Sequence, residues 1–305
     1  VIDNVSVKEV IDADFTFTRG SAATRVTKDG LIKNVQILSD DLVQNGDFEQ
    51  IGSELVTNGN FDTDSDWTKQ TGWSISGGVA NYDFTSDAKY IRQTLLNGGF
   101  VSGKTYRINF EITTGTAYMY INSNGGSLIS LNNYSVGSYS LYTTASANGS
   151  DLLIYGRNTG GTAFSIDNVS VKEVGQNWTF GTGWSMGDGK AVFNDTANGD
   201  IRTSSIFTAN SKYRISLTVS DLTSGTAFFA LGAGSASNLV GYANYTNGDY
   251  TFEVTSPNSL ELRIYATTSS GSSFSIDNIS VIEITDDTDL PRINYKDGEG
   301  SLKLE

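Results

Sequence analysis

Phe164-Ser-Ile-Asp-Asn-Val-Ser-Val-Lys-Glu-Val174 returns 110 residues later as Phe274-Ser-Ile-Asp-Asn-Ile-Ser-Val-Ile-Glu-Ile284, and a further copy opens the chain as Val1-Ile-Asp-Asn-Val-Ser-Val-Lys-Glu-Val10. A phrase repeated at the end of each unit marks a repeated domain. Working back from it, Trp67 matches Trp178, Gly72-Trp73-Ser74 matches Gly183-Trp184-Ser185, and Tyr106-Arg-Ile108 matches Tyr213-Arg-Ile215. Ile154-Tyr155 and Ile264-Tyr265 continue the series.

Each unit alternates as half-buried strands do. In Tyr106-Arg-Ile-Asn-Phe-Glu-Ile112, Tyr106, Ile108, Phe110 and Ile112 share one face. In the closing phrase the alternation slips at Asp167-Asn168, which predicts a bulge or a strand that changes neighbours. About eight short strands per unit, separated by Gly, Asn and Ser turns, predict an all-β chain of tandem β-sandwich jelly rolls.

Composition narrows the chemistry. The 305 residues contain no cysteine and no histidine, which removes disulfides, zinc–thiolate sites and Ser-His-Asp hydrolysis. A net charge of −14 argues against nucleic acid and anionic membranes as partners. No apolar run is long enough for a membrane span, so no membrane insertion is expected. Carboxylates are plentiful, but nothing in their spacing puts two on one cleft, and the expectation is that the chain is not an enzyme.

Leu55-Val-Thr-Asn-Gly-Asn-Phe61, Trp67, Gly72-Trp73 and the closing Ile-Asp-Asn-Val-Ser-Val strand resemble carbohydrate-binding modules of the family 4/9 type. The resemblance covers roughly residues 42–285. It implies a jelly roll with a glycan-binding face and a structural calcium ion held between the first strand and the Asp of the closing one. The calcium ligands it implies are Asp167 with Asn60 and Asp62, or with the Asp47/Glu49 stretch, and Asp277 in the second unit. The alternative is that each Asp-Asn pair only ties a bulge through side-chain-to-backbone hydrogen bonds. Asp62-Thr-Asp64-Ser-Asp66 lacks the glycine and terminal glutamate of an EF-hand loop.

Two segments stand outside the repeats. Phe15–Val35 and Leu290–Glu305 each read as strand, Asp-Gly turn, strand. Together they resemble a segment of bacteriophage tail and other virion proteins, here split by about 250 residues. The expected organisation is therefore residues 1–10 as the last strand of a preceding jelly roll, 11–41 with 286–305 as a split small β module, 42–174 as the first jelly roll and 175–285 as the second. Leu42-Val-Gln-Asn-Gly-Asp-Phe48 duplicates Leu55–Phe61 thirteen residues earlier, and sequence leaves open which copy forms a first strand.

For a glycan site, Trp73 and Trp184 are framework residues and read as core. Aromatics that differ between copies are better candidates: Tyr120 stands opposite Ala230, Tyr82 opposite Phe193 and Tyr142 opposite Glu253. The first unit offers Tyr118, Tyr120 and Arg157, the second Tyr242, Tyr245 and Tyr265. The alternative is that these tyrosines simply cover a sandwich face. The resemblances together imply a virion-surface or extracellular protein that attaches weakly and multivalently to cell-surface glycan or polysaccharide, with other virion proteins and further copies of the chain as partners. A purely structural decoration or spacer, or the accessory binding region of a secreted polysaccharide-degrading enzyme, are the competing expectations.

Overall fold

The computed structural model describes residues 37–235, 238–268 and 271–286, together with the short strands 24–26, 32–34, 292–296 and 299–303. The Val1–Val10 copy of the closing phrase lies outside the described residues. The described residues begin with a hairpin of β1 (Thr24–Val26) and β2 (Ile32–Asn34), followed by β3 (Ile37–Asp41). Then come β4 (Ile51–Glu54), β5 (Thr68–Lys69), β6 (Trp73–Ser76), β7 (Val79–Tyr82), β8 (Lys89–Thr94), β9 (Thr105–Thr114) and β10 (Ala117–Ser123). The first sandwich is completed by β11 (Gly126–Tyr134), β12 (Gly137–Thr144), β13 (Asp151–Gly156) and β14 (Phe164–Val174).

The second repeat supplies β15 (Thr179–Phe180), β16 (Trp184–Gly187), β17 (Lys190–Phe193), β18 (Gly199–Ser205), β19 (Lys212–Ser220) and β20 (Ala227–Ala233). It continues through β21 (Asn238–Tyr245), β22 (Gly248–Thr255), β23 (Glu261–Ala266) and β24 (Phe274–Asp286), and a hairpin of β25 (Arg292–Lys296) and β26 (Glu299–Lys303) follows.

Each sandwich has the same two sheets. In the first they run β11-β10-β13-β8-β5 and β12-β9-β14-β7-β6, and in the second β15-β18-β23-β20-β21 and β16-β17-β24-β19-β22. All pairings are antiparallel, as the alternating patterns require. The inner faces meet in two separate cores, one built on Ile91, Ile108, Ile112 and Ile154, the other on Ile201, Ile215, Phe229 and Ile264. The all-β sandwich read from the sequence is the observed fold.

The slip in the closing phrase is both a bulge and a change of neighbour. In β14, Phe164–Ile166 pair with β7 while Lys172 and Val174 pair with β4, and the register against β9 shifts between Asp167 and Ser170. Asn168 sits at φ +53°, and Asn278 repeats this at +51°. Asn tolerates the left-handed region better than a β-branched residue would, because its short side chain bonds locally.

The two Leu-Val-x-Asn-Gly-x-Phe copies belong to different sandwiches. Leu55 N–H donates to Val171 O and Val169 N–H to Gly59 O, within the first. Leu42 N–H donates to Val281 O and Ile279 N–H to Gly46 O, within the second. Phe61 packs on Trp67 with ring centroids 5.1 Å apart, and Phe48 packs on Trp178 at 5.2 Å. Each Trp indole N–H donates to the carbonyl of the Asn in its own copy, Trp67 to Asn58 and Trp178 to Asn45, both at 3.0 Å.

The second jelly roll is therefore discontinuous, and the expected division at residue 42 is corrected. Residues 37–48 supply its first strand and opening loop, and residues 51–174 interrupt it between Phe48 and Trp178. The question of which Leu-Val-x-Asn-Gly-x-Phe copy forms a first strand is answered with it, since each copy opens one sandwich. The physical reason is that first and last strands pair antiparallel, Ile51 with Val174 and Ile37 with Asp286, so each unit's two ends lie together. A domain whose ends meet can be accommodated in a loop of another. The same rule extends outward, since β1 lies against β25 across the whole repeat region.

Candidate functional site

The outer face of the first sandwich's β11-β10-β13-β8-β5 sheet carries a row of tyrosines. Met119, Ile121, Ile154 and Ile91 point inward and are buried, so period-two alternation turns Tyr120, Tyr155 and Tyr90 outward. Register places them side by side, Tyr120 opposite Tyr155 and Tyr155 opposite Tyr90. The rings of Tyr120 and Tyr155 stack at 4.5 Å with 7° between planes, and Tyr90 meets Tyr155 edge-on at 5.1 Å. The stacked pair stands on the outer face of the sheet, and both rings are half-buried. Burial, the largest cause, raises the Tyr120 and Tyr155 hydroxyls above the ordinary tyrosine pKa, so both remain hydrogen-bond donors at neutral pH.

Charged pairs flank the row. On one side Arg157 Nε donates to Asp87 Oδ1 at 2.6 Å, and Asn158 N–H reaches the same oxygen at 3.3 Å. The hydrogen bond from Arg157 is the first cause holding the Asp87 carboxyl below the usual range. On the other side stand Asn122, Arg92 and Asp151, with Arg92 Nη1 at 3.7 Å from Asp151 Oδ2. Asn122 Oδ1 is shielded from water and has no protein partner. Tyr118 lies two residues before Tyr120 on the same face, under the Gly160–Gly161 turn, where a Cβ on Gly160 would stand 3.0 Å from the Tyr118 ring.

The sequence-predicted group of Tyr118, Tyr120 and Arg157 thus falls on one face. Tyr90 and Tyr155, which are not among the sequence-predicted candidates, complete the row. Alternation in Lys89–Thr94 alone turns Tyr90 outward, but only the strand order makes it a neighbour of Tyr120. Tyr82, another candidate from comparing copies, is corrected to core: it is 1 % exposed and packed on Trp73 and Phe164.

In the second sandwich Tyr242 and Tyr265 lie close enough to interact, and Tyr245 does not join them. Tyr245 is corrected to core, 7 % exposed and stacked on Phe229 at 4.2 Å. Tyr242 is 45 % exposed and stacks on Phe228. Tyr265 donates its hydroxyl to Gly234 O. Ala230 and Asp200 occupy the register positions of Tyr120 and Tyr90. In place of the aromatic row is an ionic network in which Arg263 meets Glu261 at 2.6 Å and Asp200 at 3.6 Å.

The structure also gathers the acidic residues proposed for a cation. Burial raises the Asp167 carboxyl above the ordinary value, with Glu111 and Asp62 adding to it; burial raises Asp277 likewise, with Glu49 and Asp47 adding and Lys190 opposing. As they stand, these residues do not fit a calcium shell. Asp167 Oδ1 accepts the Asn168 N–H at 2.7 Å, Asp277 Oδ1 accepts that of Asn278 at 2.7 Å, and Asn60 turns its amide N–H to Asp62. Among the described residues no group of three or more Asp or Glu side chains is placed to hold a metal ion. The observed hydrogen bonds are those of an Asp-Asn pair tying the bulge.

A carboxyl raised in the folded state stabilises below its unfolded pKa, and that contribution is lost as pH rises through the folded value. Asp167→Asn and Asp277→Asn are therefore expected to raise the melting temperature at about pH 7 and to leave it unchanged near pH 3. Thermal melts in calcium and in chelator test this directly. A calcium-dependent rise in the wild type that Asp167→Asn abolishes would make Asp167 a ligand instead.

No protein-family model and no curated protein matches the chain. Among solved structures, the tandem CBM22-1–CBM22-2 domain of Xyn10C from Paenibacillus barcinonensis is similar over 76% of this chain and 98% of that one, at 13% identity and a TM-score of 0.33. The tandem CBM51 modules of Sp3GH98, the family 98 glycoside hydrolase of Streptococcus pneumoniae, are similar over 87% and 89%, at 9% identity and TM-score 0.24. A triple jelly roll from the turret of an archaeal virus is similar over 88% and 89%, at 14% identity and TM-score 0.22. Likenesses this distant carry no argument about a ligand, and the site rests on its own side chains.

Proposed function

We propose that the chain is a non-enzymatic glycan-binding protein of an extracellular surface, which holds saccharide on the Tyr90–Tyr155–Tyr120 row. The observation that carries this is the register, which lines three outward rings on adjacent strands between two ion pairs. The exposed parts of these rings meet sugar C–H groups, and the tyrosine hydroxyls donate. One such open face binds weakly, and many copies on one particle supply avidity. The resemblance of residues 15–35 and 290–305 to a tail-protein segment supports a virion setting, and the approach of β1 to β25 supports reading those halves as one module.

Tyr120→Ala removes the partner stacked on Tyr155 and the share of the platform that β10 supplies together. It is expected to weaken binding about tenfold, roughly 1.4 kcal/mol, on whichever glycan an array identifies. Retention of full affinity by Tyr120→Ala, or no binding across broad neutral and acidic panels, would sink the proposal.

A further inference from the structure

The opposite sheet of the first sandwich carries a second, unassigned groove. Arg107, Asn109 and Glu111 follow one another along the outer face of β9, with Tyr142, Ser140 and Ser138 opposite them on β12. Ser170 of β14 stands opposite Asn109 on the other side. The space bounded by Arg107, Asn109, Glu111, Ser138, Ser140 and Ser170 is about 540 Å³, and Tyr142 stands beyond its Arg107 end. Two atoms at its floor, Arg107 Nε and Asn109 Oδ1, are shielded from water and have no hydrogen-bond partner. An unpaired donor or acceptor out of water is costly, so a ligand hydroxyl that reaches either atom as the covering side chains shift is favoured.

The second sandwich is an internal control. Its equivalent strands place Arg214 opposite Glu253 and Thr218 opposite Asp249. There Arg214 Nη2 binds Glu253 Oε1 at 2.9 Å and Thr218 Oγ1 donates to Asp249 Oδ1 at 2.8 Å. The first sandwich has Tyr142 and Ser138 in place of those two carboxylates. Only in the first copy is the arginine left without the carboxylate opposite it.

We infer that this groove is a second saccharide site, taking a neutral polyhydroxylated chain on the face opposite the tyrosine row. A sugar hydroxyl both donates and accepts, so one ligand class answers an orphan N–H and an orphan carbonyl oxygen together. Arg107 and Glu111 cancel in charge, which removes any net attraction for an anion. Ser138, Ser140 and Ser170 add hydroxyls of both polarities along the walls. The inference rests on the glycan-binding reading, and it makes a single sandwich bivalent, able to join two chains of one polysaccharide.

The test is affinity electrophoresis of the full chain in gels containing dextran, mannan, β-glucan or xylan. Four proteins are compared: the wild type, the platform variant Y120A/Y155A, the groove variant R107Q/N109A and the two combined, with unchanged thermal melts as the check on folding. On the retarding polysaccharide, the platform variant is expected to keep residual retardation. The groove variant is expected to lose about tenfold in affinity, and combining the two to abolish retardation. Hydrogen exchange should slow at 105–114 and 137–144 when ligand is bound. A groove variant that migrates as wild type, with no such protection, overturns this inference and leaves the platform standing. Wild type that no polysaccharide retards overturns both.

Discussion

A fragment of residues 175–286 is expected to remain unfolded, while residues 37–50 joined by a short linker to 175–286 fold cooperatively without the intervening domain. The first fragment is the domain a reader of the repeat would cut, and it lacks the strand and loop that close its own core. Phe48 is 1 % exposed and packs on Trp178 and Phe180. Removing a buried Phe alone costs about 3–5 kcal/mol. The cut also removes Val43 from the same core, strips β3 from β24, and leaves Val281 N–H without the Asp41 carboxylate it donates to at 3.0 Å. Together these losses match the whole stability of a typical domain, about 5–15 kcal/mol. The relinked chain restores all of them, because Ile51 and Val174 are register partners and the gap between Gln50 and Gly175 is short. Circular dichroism and urea unfolding of the two proteins check this. A cooperative transition in the 175–286 fragment would show that residues 37–48 are dispensable.

The order of motifs already encoded this nesting. Two Asn-Gly-x-Phe openings precede the Phe164–Val174 phrase and none stands between it and the Phe274–Ile284 phrase, the pattern of one bracket inside another. Strand content, the repeat and the bulge at Asp-Asn followed from alternation, which is a local property and survives in any topology. Which opening belongs to which closing did not, because it is fixed by contacts such as Asn45 Nδ2 to Gln176 O, 131 residues apart. The candidate site divides the same way. Facing along one strand put Tyr118 and Tyr120 together, whereas Tyr90 joins them only through the order β10-β13-β8. Comparing copies misplaced Tyr82, since a Tyr-to-Phe difference occurs as readily in a core where the hydroxyl has found a carbonyl, here Ser86 O.

Gly59→Ala and Gly46→Ala are expected to destabilise one sandwich each, by on the order of 3 kcal/mol. A Cβ on Gly59 would stand 1.9 Å from Val169 O, and one on Gly46 1.9 Å from Ile279 O. Those carbonyls belong to the bulge of each closing strand, so they cannot swing aside as a side chain would. The same glycines use their own carbonyls to accept the N–H groups of Val169 and Ile279, which ties each opening loop to its bulge at 2.8 and 2.9 Å. Displacing the loop to relieve the clash breaks that bond and lifts Phe61 or Phe48 from its tryptophan. The two cores are separate clusters, so the damage is expected to stay local: Gly59→Ala lowers the transition of the first sandwich, and Gly46→Ala that of the second. The discontinuity makes the second result decisive. Gly46 precedes the first sandwich in sequence, and only if it belongs to the second will its substitution leave the fluorescence of Trp67 and Trp73 unchanged on melting while advancing that of Trp178 and Trp184. Single-tryptophan variants read each transition separately, and a Gly46→Ala melt that moves the Trp67 signal would refute the nested assignment.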